Sequence, residues 1–90
     1  MIYLSVRHTV ADYAKWRVGF DAHETARRAG GASGVQHLYR DQDNPNTITA
    51  IVEWDSAEKA LQFAQDPALA EVMKNAGVTS APEVRFLNRA

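Results

Sequence analysis

Hydrophobic and polar residues alternate in three segments of the chain and a fourth is rich in β-branched residues, and these patterns predict β-strands. The four segments are residues 1–10, 35–40, 47–54 and 82–89. The second and third segments are separated by the turn-forming sequence DQDNPN, which predicts a β-hairpin. A turn symmetric about residues 43 and 44 would place His37 opposite Ala50 and Tyr39 opposite Ile48. The loop length leaves a slip of this register open.

Apolar residues spaced three and four apart predict an amphipathic helix of about four turns after the first strand. Asp12 is the predicted N-cap, and the sequence GGASG at residues 30–34 is expected to end the helix. The predicted stripe on the sheet side of this helix consists of Tyr13, Trp16, Phe20, His23 and Arg27.

Two further helices are predicted between the third and fourth strands. Asp55 or Ser56 caps the first of them. The pair Asp66 and Pro67 interrupts that helix and starts a short second one, which ends at Gly77.

The resulting order β-α-β-β-α-α-β predicts one α+β domain over residues 1–90. Right-handed crossovers favour an antiparallel ferredoxin-like sheet in the strand order 4-1-3-2, with the helices on one face. The other face mixes apolar and charged side chains, which predicts that it is covered by a second copy of the chain in a homodimer. An open sheet with one wet face is the alternative. The residues predicted on this face are Tyr3, Arg7, Leu38, Arg40, Thr49, Ile51, Glu53, Arg85 and Leu87.

Composition and charge exclude several classes of function. Ten Lys and Arg residues and a net charge of -1 provide no positive field for a nucleic-acid or membrane partner. The absence of cysteine excludes disulfides and Cys-ligated zinc. No apolar run approaches the ~18 residues of a membrane span, and the first ten residues lack the features of a signal peptide, so we expect a cytoplasmic protein.

The sequence NPNTITAIVEWDSAEKALQFAQDPALAEVM, the closing strand PEVRFL and the order of elements resemble a known family. They are similar to the dimeric α+β barrel superfamily, and within it to the antibiotic-biosynthesis-monooxygenase-like group. This resemblance implies a dimer whose sheets face each other and a pocket between helices and sheet in each subunit. Many members have a histidine in the second helical region, whereas LQFAQDPAL has none. Relatives include cofactor-independent oxygenases, isomerases and cyclase-like proteins, so the resemblance fixes no single activity.

Polar side chains on the predicted helix-facing wall of the sheet indicate the candidate site. His23 and His37 are predicted at similar heights facing one cavity, where a histidine with a pKa near neutrality would act as a general acid-base catalyst on a phenol or β-dicarbonyl compound. Tyr39 could hold a carbonyl or enolate oxygen. The alternative interpretation is that the histidines and aromatic residues only form the core. The predicted substrate-binding residues are His8, Trp16, Phe20, Tyr39, Trp54 and Phe86.

Other kinds of site find little support in the sequence. No spacing of histidines or carboxylates predicts a metal site, and GGASG lacks the pattern of a phosphate-binding loop, so we expect no cofactor. Binding of haem would need His23 or His37 as an axial ligand. The charged residues Asp21, Glu24, Arg27 and Arg28 are interpreted as a solvent-exposed helix face without a chemical role.

These observations predict a homodimer that binds a small hydrophobic or aromatic ligand. It would be a cofactor-independent monooxygenase or a cyclase-like enzyme acting on an aromatic or polyketide-like substrate. The alternative is a non-catalytic ligand-binding or stress-related dimer with a small or filled pocket. A cavity of a few hundred Å³ between the first helix and the sheet would favour a ligand site.

Overall fold

Four strands and four helices follow one another along the chain in a computed structural model that describes all residues from 1 to 90. The strands form one antiparallel sheet in the order β2-β3-β1-β4, which confirms the predicted ferredoxin-like α+β topology. No helix is long and apolar enough to cross a membrane. The elements are β1 (Ile2–Thr9), α1 (Tyr13–Ala22), α2 (Glu24–Ala29), β2 (Ala32–Arg40), β3 (Thr47–Trp54), α3 (Ala57–Gln65), α4 (Pro67–Asn75) and β4 (Glu83–Leu87).

Side-chain caps start three of the helices at the predicted places. Asp12 accepts a hydrogen bond from the Ala14 N–H at 2.9 Å, and Ser56 accepts one from Lys59 at 3.3 Å. Asp66 caps α4 through the Ala68 N–H at 2.9 Å, directly before Pro67. Each cap satisfies a backbone donor that has no partner inside its helix.

The predicted four-turn helix is two helices, α1 and α2, separated at His23. The backbone of His23 has φ -91° and ψ 2°, which lies outside the α-helical region. Its N–H still donates to the carbonyls of Gly19 and Phe20 at 3.2 Å, and its carbonyl accepts from Arg27. The two helices therefore continue one another around a distorted turn that carries a candidate catalytic residue.

The predicted register of β2 against β3 is wrong by one residue. His37 pairs with Ile51, and Tyr39 pairs with Thr49. The six-residue connection 41–46 is closed by the hydrogen bond from Asp41 N–H to the Thr47 carbonyl at 2.9 Å, which centres the hairpin on residue 44. Because side chains alternate along a strand, this shift moves the side chains of His37 and Tyr39 to the face without helices.

The same shift moves Leu38 and Arg40 to the helical face, where Leu38 packs against the core and Arg40 lies over the Tyr13 ring. β2 also starts earlier than predicted, because a bulge lies between Ala32 and Gln36. Gly34 within the bulge has φ +99°, a conformation that residues with a side chain rarely adopt. Part of the predicted turn sequence GGASG is therefore strand.

The face of the sheet away from the helices, called the open face below, carries both charged and apolar side chains. Arg7 forms ion pairs with Asp41 at 2.5 Å and with Glu83 at 4.0 Å. Val35 and Tyr39 are 46% and 57% exposed on this face in the single chain. An exposed surface of this mixed character is what a partner subunit would cover.

Candidate functional site

A cavity of about 70 Å³ lies between the sheet and the helices. Strands β1 and β3 form its floor, and α1, α3 and α4 form its walls. Twelve of its sixteen lining residues are hydrophobic. The sequence places these residues at alternate strand positions and along one helical stripe, so the cavity is the unfilled part of the core.

Aromatic side chains make up much of the cavity wall. The rings of Trp16 and Phe20, one helical turn apart, stack with centroids 5.0 Å apart. Trp54, which is completely buried at the end of β3, contacts the ring of Phe63 with centroids 4.8 Å apart. These flat, rigid surfaces favour a ligand that contains an aromatic ring.

His8 lies on β1 at the cavity and is 5% exposed. Neither of its ring nitrogens has a hydrogen-bond partner in the protein, and its ring meets Trp16 edge-on with centroids 5.7 Å apart. Burial lowers the pKa of His8, because a charged imidazolium is unfavourable away from water. The imidazole is therefore neutral at pH 7, with both nitrogens free of protein partners.

His23 lies at the junction of α1 and α2, where it is partly buried and faces the Phe63 ring. Its pKa is lowered first by burial and then by the positive charge of Arg27, while Asp66 acts in the opposite direction. His23 is therefore an unprotonated imidazole at neutral pH, and such a group can accept a proton from a ligand.

Arg27 of α2 also lines the cavity and is only 4% exposed. Its Nη1 donates to the Phe20 carbonyl at 2.8 Å, and its guanidinium carbon lies 3.7 Å from the centroid of the Phe20 ring. Its Nε and Nη2 are buried without a partner in the protein. Burial lowers the pKa of Arg27, but an arginine remains charged at neutral pH.

The interpretation of Arg27 as a solvent-exposed residue is therefore wrong. The signal that could have identified it was its position on the stripe, since it follows Phe20 by seven residues and His23 by four. Asp21, Glu24 and Arg28, the other members of that charged set, form exposed ion pairs along the helices.

A second, wider groove of about 380 Å³ lies outside the cavity, between α2 and the helices α3 and α4. Polar residues such as Lys59, Gln62 and Asp66 line part of it. The side chains of His23, Phe63 and Leu69 border both the groove and the inner cavity. His23 thus lies at the boundary between a buried apolar space and a polar groove.

The structure brings most, but not all, of the predicted residues together. His8, Trp16, Phe20, His23 and Trp54 line the inner cavity. His37 and Tyr39 lie on the open face, where their rings stack with centroids 6.5 Å apart. His37 is therefore not brought to the cavity that His23 borders, and Tyr39 cannot hold a ligand oxygen there.

Phe86 is on the helical face, opposite Leu4, as predicted. It is nevertheless 46% exposed and does not line the cavity, because β4 is an edge strand. No group of three or more His, Asp or Glu side chains comes together in an arrangement that could hold a metal ion.

Neither protein-family models nor curated proteins match the sequence, but solved structures match its fold over almost the whole chain. A protein of Bordetella bronchiseptica with the provisional description antibiotic biosynthesis monooxygenase superimposes with a TM-score of 0.81 and 19% identity, covering 99% of this chain and 96% of that one. The chain has the fold of the antibiotic biosynthesis monooxygenases. The predicted resemblance to this group is thus confirmed at the level of the fold.

Two further solved structures extend the comparison. SnoaB of Streptomyces nogalater, a cofactor-independent oxygenase, is 20% identical with a TM-score of 0.72, covering 99% of this chain and 92% of that one. Rv0793 of Mycobacterium tuberculosis is 17% identical with a TM-score of 0.68, covering 99% and 94%. Identities this low establish the shared fold, while the chemistry depends on the side chains of each cavity.

Proposed function

We propose that this protein is a homodimer that binds a small aromatic or polyketide-like molecule between helices and sheet and oxidises it without a cofactor. The observation that carries the proposal is the aromatic cavity wall bordered by the neutral imidazole of His23. The similarity in fold to SnoaB, a cofactor-independent oxygenase, supports the type of reaction.

In the proposed reaction, His23 removes the hydroxyl proton of a bound phenol and makes the ring electron-rich. Dioxygen then adds at a ring carbon that carries hydrogen. Loss of that hydrogen leaves a quinone, with one oxygen atom of O₂ in the new carbonyl group and the other in water. The substrate supplies all four electrons, so the balance requires no external reductant.

The homodimer is proposed from the open face. Val35, Tyr39 and Leu87 are exposed there in the single chain, and the same face carries the ion pairs of Arg7. A second sheet packed against this face would cover the apolar side chains and leave the cavity accessible through the outer groove on the opposite side.

The size of the inner cavity favours a second candidate function. About 70 Å³ is well below the ~300–1,000 Å³ typical of sites for small molecules. A protein that binds a ligand mainly in the outer groove, without turnover, would have such a cavity. The second candidate is therefore a non-catalytic ligand-binding or stress-related dimer.

Oxygen uptake separates the two functions. Purified protein treated with a metal chelator is incubated with hydroxynaphthalenes and cyclic β-diketones, and an oxygen electrode and the quinone absorbance follow the reaction. We expect oxygen uptake that is lost in His23→Ala and kept in His37→Ala, because His23 borders the cavity whereas His37 lies on the open face. Binding of these compounds without oxygen uptake would favour the non-catalytic protein, and loss of turnover in His37→Ala alone would contradict the proposed site.

A further inference from the structure

Arg27 is a buried positive charge without an ion-pair partner. Arg27 forms none of the salt bridges of the chain. The nearby carboxylates of Glu24 and Asp21 favour its charged form, but they pair with Arg28 at 3.8 Å and with Arg17 at 2.9 Å. The Phe20 carbonyl and ring hold the guanidinium in place but carry no negative charge. Burial of a charge is costly unless the charge is paired and hydrogen-bonded, so a buried charge that lacks an ion pair in the free protein points to a ligand that completes it.

The two unpartnered nitrogens of Arg27 have the arrangement that a carboxylate requires. Nε and Nη2 lie side by side along one edge of the planar guanidinium, and their N–H groups point in the same direction. The third nitrogen, Nη1, is already engaged by the Phe20 carbonyl. The free edge therefore matches the two oxygens of one carboxylate, the geometry of the strongest charged hydrogen bonds in proteins.

The other buried side-chain atoms without partners belong to the same cavity. They are both ring nitrogens of His8 and the indole nitrogen of Trp54, and each of these residues lines the inner cavity together with Arg27. Buried polar side-chain atoms are normally hydrogen-bonded, so their concentration around one cavity marks a place prepared for a polar group. The cavity would hold a few water molecules, at about 10–15 Å³ each, or a group as small as a carboxylate.

We propose that the ligand of this cavity is an aromatic acid, whose carboxylate forms a bidentate ion pair with the Nε–Nη2 edge of Arg27. The ring lies toward Phe63 and Leu69, which border both the cavity and the outer groove. This inference rests on the proposed binding of an aromatic molecule, and it specifies the charge and the anchoring group of that molecule.

Calorimetric titration with a matched pair of ligands tests the ion pair. The probes are 2-naphthoate and its neutral analogue 2-naphthamide, which share one ring system. A charged bidentate contact corresponds to about 10–100-fold in affinity. We expect naphthoate to bind the wild-type protein at least about tenfold more tightly than naphthamide. In Arg27→Met that ratio falls to about one, while binding of naphthamide is retained.

Arg28→Met is the matched control, because it removes the same charge from an exposed neighbouring position on α2. It keeps the preference for naphthoate. Arg27→Lys, which keeps the charge but loses the planar edge, loses most of the preference and serves as the test if Arg27→Met does not fold. Circular dichroism verifies the fold of each variant.

Two sets of results would overturn the proposal and are distinguishable from each other. Equal affinity of the wild-type protein for naphthoate and naphthamide, or a preference that survives both Arg27 variants, would refute the carboxylate site while leaving aromatic binding intact. Failure of the folded wild-type protein to bind either compound at millimolar concentration would refute the binding of aromatic ligands as well.

Discussion

The two histidines that line the cavity, His8 and His23, give the fold a stability that depends on pH, and the buried His8 is the clearest case. Its folded-state pKa is lowered by burial, whereas an unfolded histidine has a pKa of about 6.5. Between these two values the unfolded chain binds more protons than the folded chain, so the free energy of unfolding rises with pH. The contribution is complete above about pH 6.5 and is lost as the pH falls toward the folded-state pKa.

The magnitude follows from the number of histidines with lowered pKa values. Each such group changes the free energy of unfolding by at most about 1.4 kcal/mol per pH unit. His8, at 5% exposure, contributes the larger slope, and the more exposed His23 adds a smaller slope in the same direction. We therefore expect the free energy of unfolding to fall as the pH drops below about 6.5, with at most about 1.4 kcal/mol per pH unit from each of the two histidines.

Urea denaturation at several pH values between about 5 and 8 measures this slope. In His8→Leu the slope falls by about half or more, and the stability at pH 8 is kept or increased, because an imidazole without partners is replaced by an apolar side chain. A His8→Leu variant with an unchanged slope, or one destabilised by more than about 2 kcal/mol at pH 8, would refute the description of His8 as buried and unpartnered.

Three further predictions concern the core, the helix caps and the open face. Trp54→Ala is expected to lower the free energy of unfolding by about 3–5 kcal/mol, because Trp54 is fully buried, and urea denaturation measures the loss. Asp66→Ala is expected to lower the free energy of unfolding by about 0.5–2 kcal/mol, because it removes the side-chain cap of α4. Asp66→Asn, whose side chain can still cap the helix, is expected to keep most of that stability. Ile51→Lys should shift the protein in sedimentation from a dimer to the 10.0 kDa chain without unfolding, and a dimer that persists would place the interface elsewhere.

The arrangement of the fold could be predicted from the sequence because its determinants are local. The caps Asp12, Ser56 and Asp66 each act on a backbone group two or three residues away, and each is visible as a residue type next to an apolar period. The strand order then follows from the handedness of the crossovers, which is a general property of polypeptides.

Which side chains of β2 point toward the helices could not be predicted in the same way. This depends on the register of the hairpin, and a difference of one residue in the turn changes that register. The connection 41–46 is compatible with pairing of His37 with either Ala50 or Ile51, and the hydrogen bond between Asp41 and Thr47 selects Ile51. His37, one of the two predicted catalytic residues, therefore lies on the open face. Because side chains alternate along a strand, an error of one residue in the register reverses the predicted face of every side chain in it.

The burial of Arg27 was not predicted, because its charge indicated exposure to solvent although its position along the helix indicated the core. Its spacing places it on the buried stripe with Phe20 and His23, and arginines are seldom buried without a counter-ion. A conflict of this kind between the spacing of a residue and its type is expected at a ligand-binding site, because functional sites depart from the sequence patterns that determine the rest of the fold.

The proposed aromatic ligand binds between the helices and the sheet rather than on the open face. Titration of ¹⁵N-labelled protein with the neutral compound 1-naphthol tests this placement, because the only two indole N–H groups of the chain, those of Trp16 and Trp54, both belong to residues that line the cavity. We expect both indole signals to shift and to saturate together, while the amide of Ile51 on the open face does not move. Saturable shifts at Ile51 and its strand neighbours, with unchanged indole signals, would place the ligand on the open face instead.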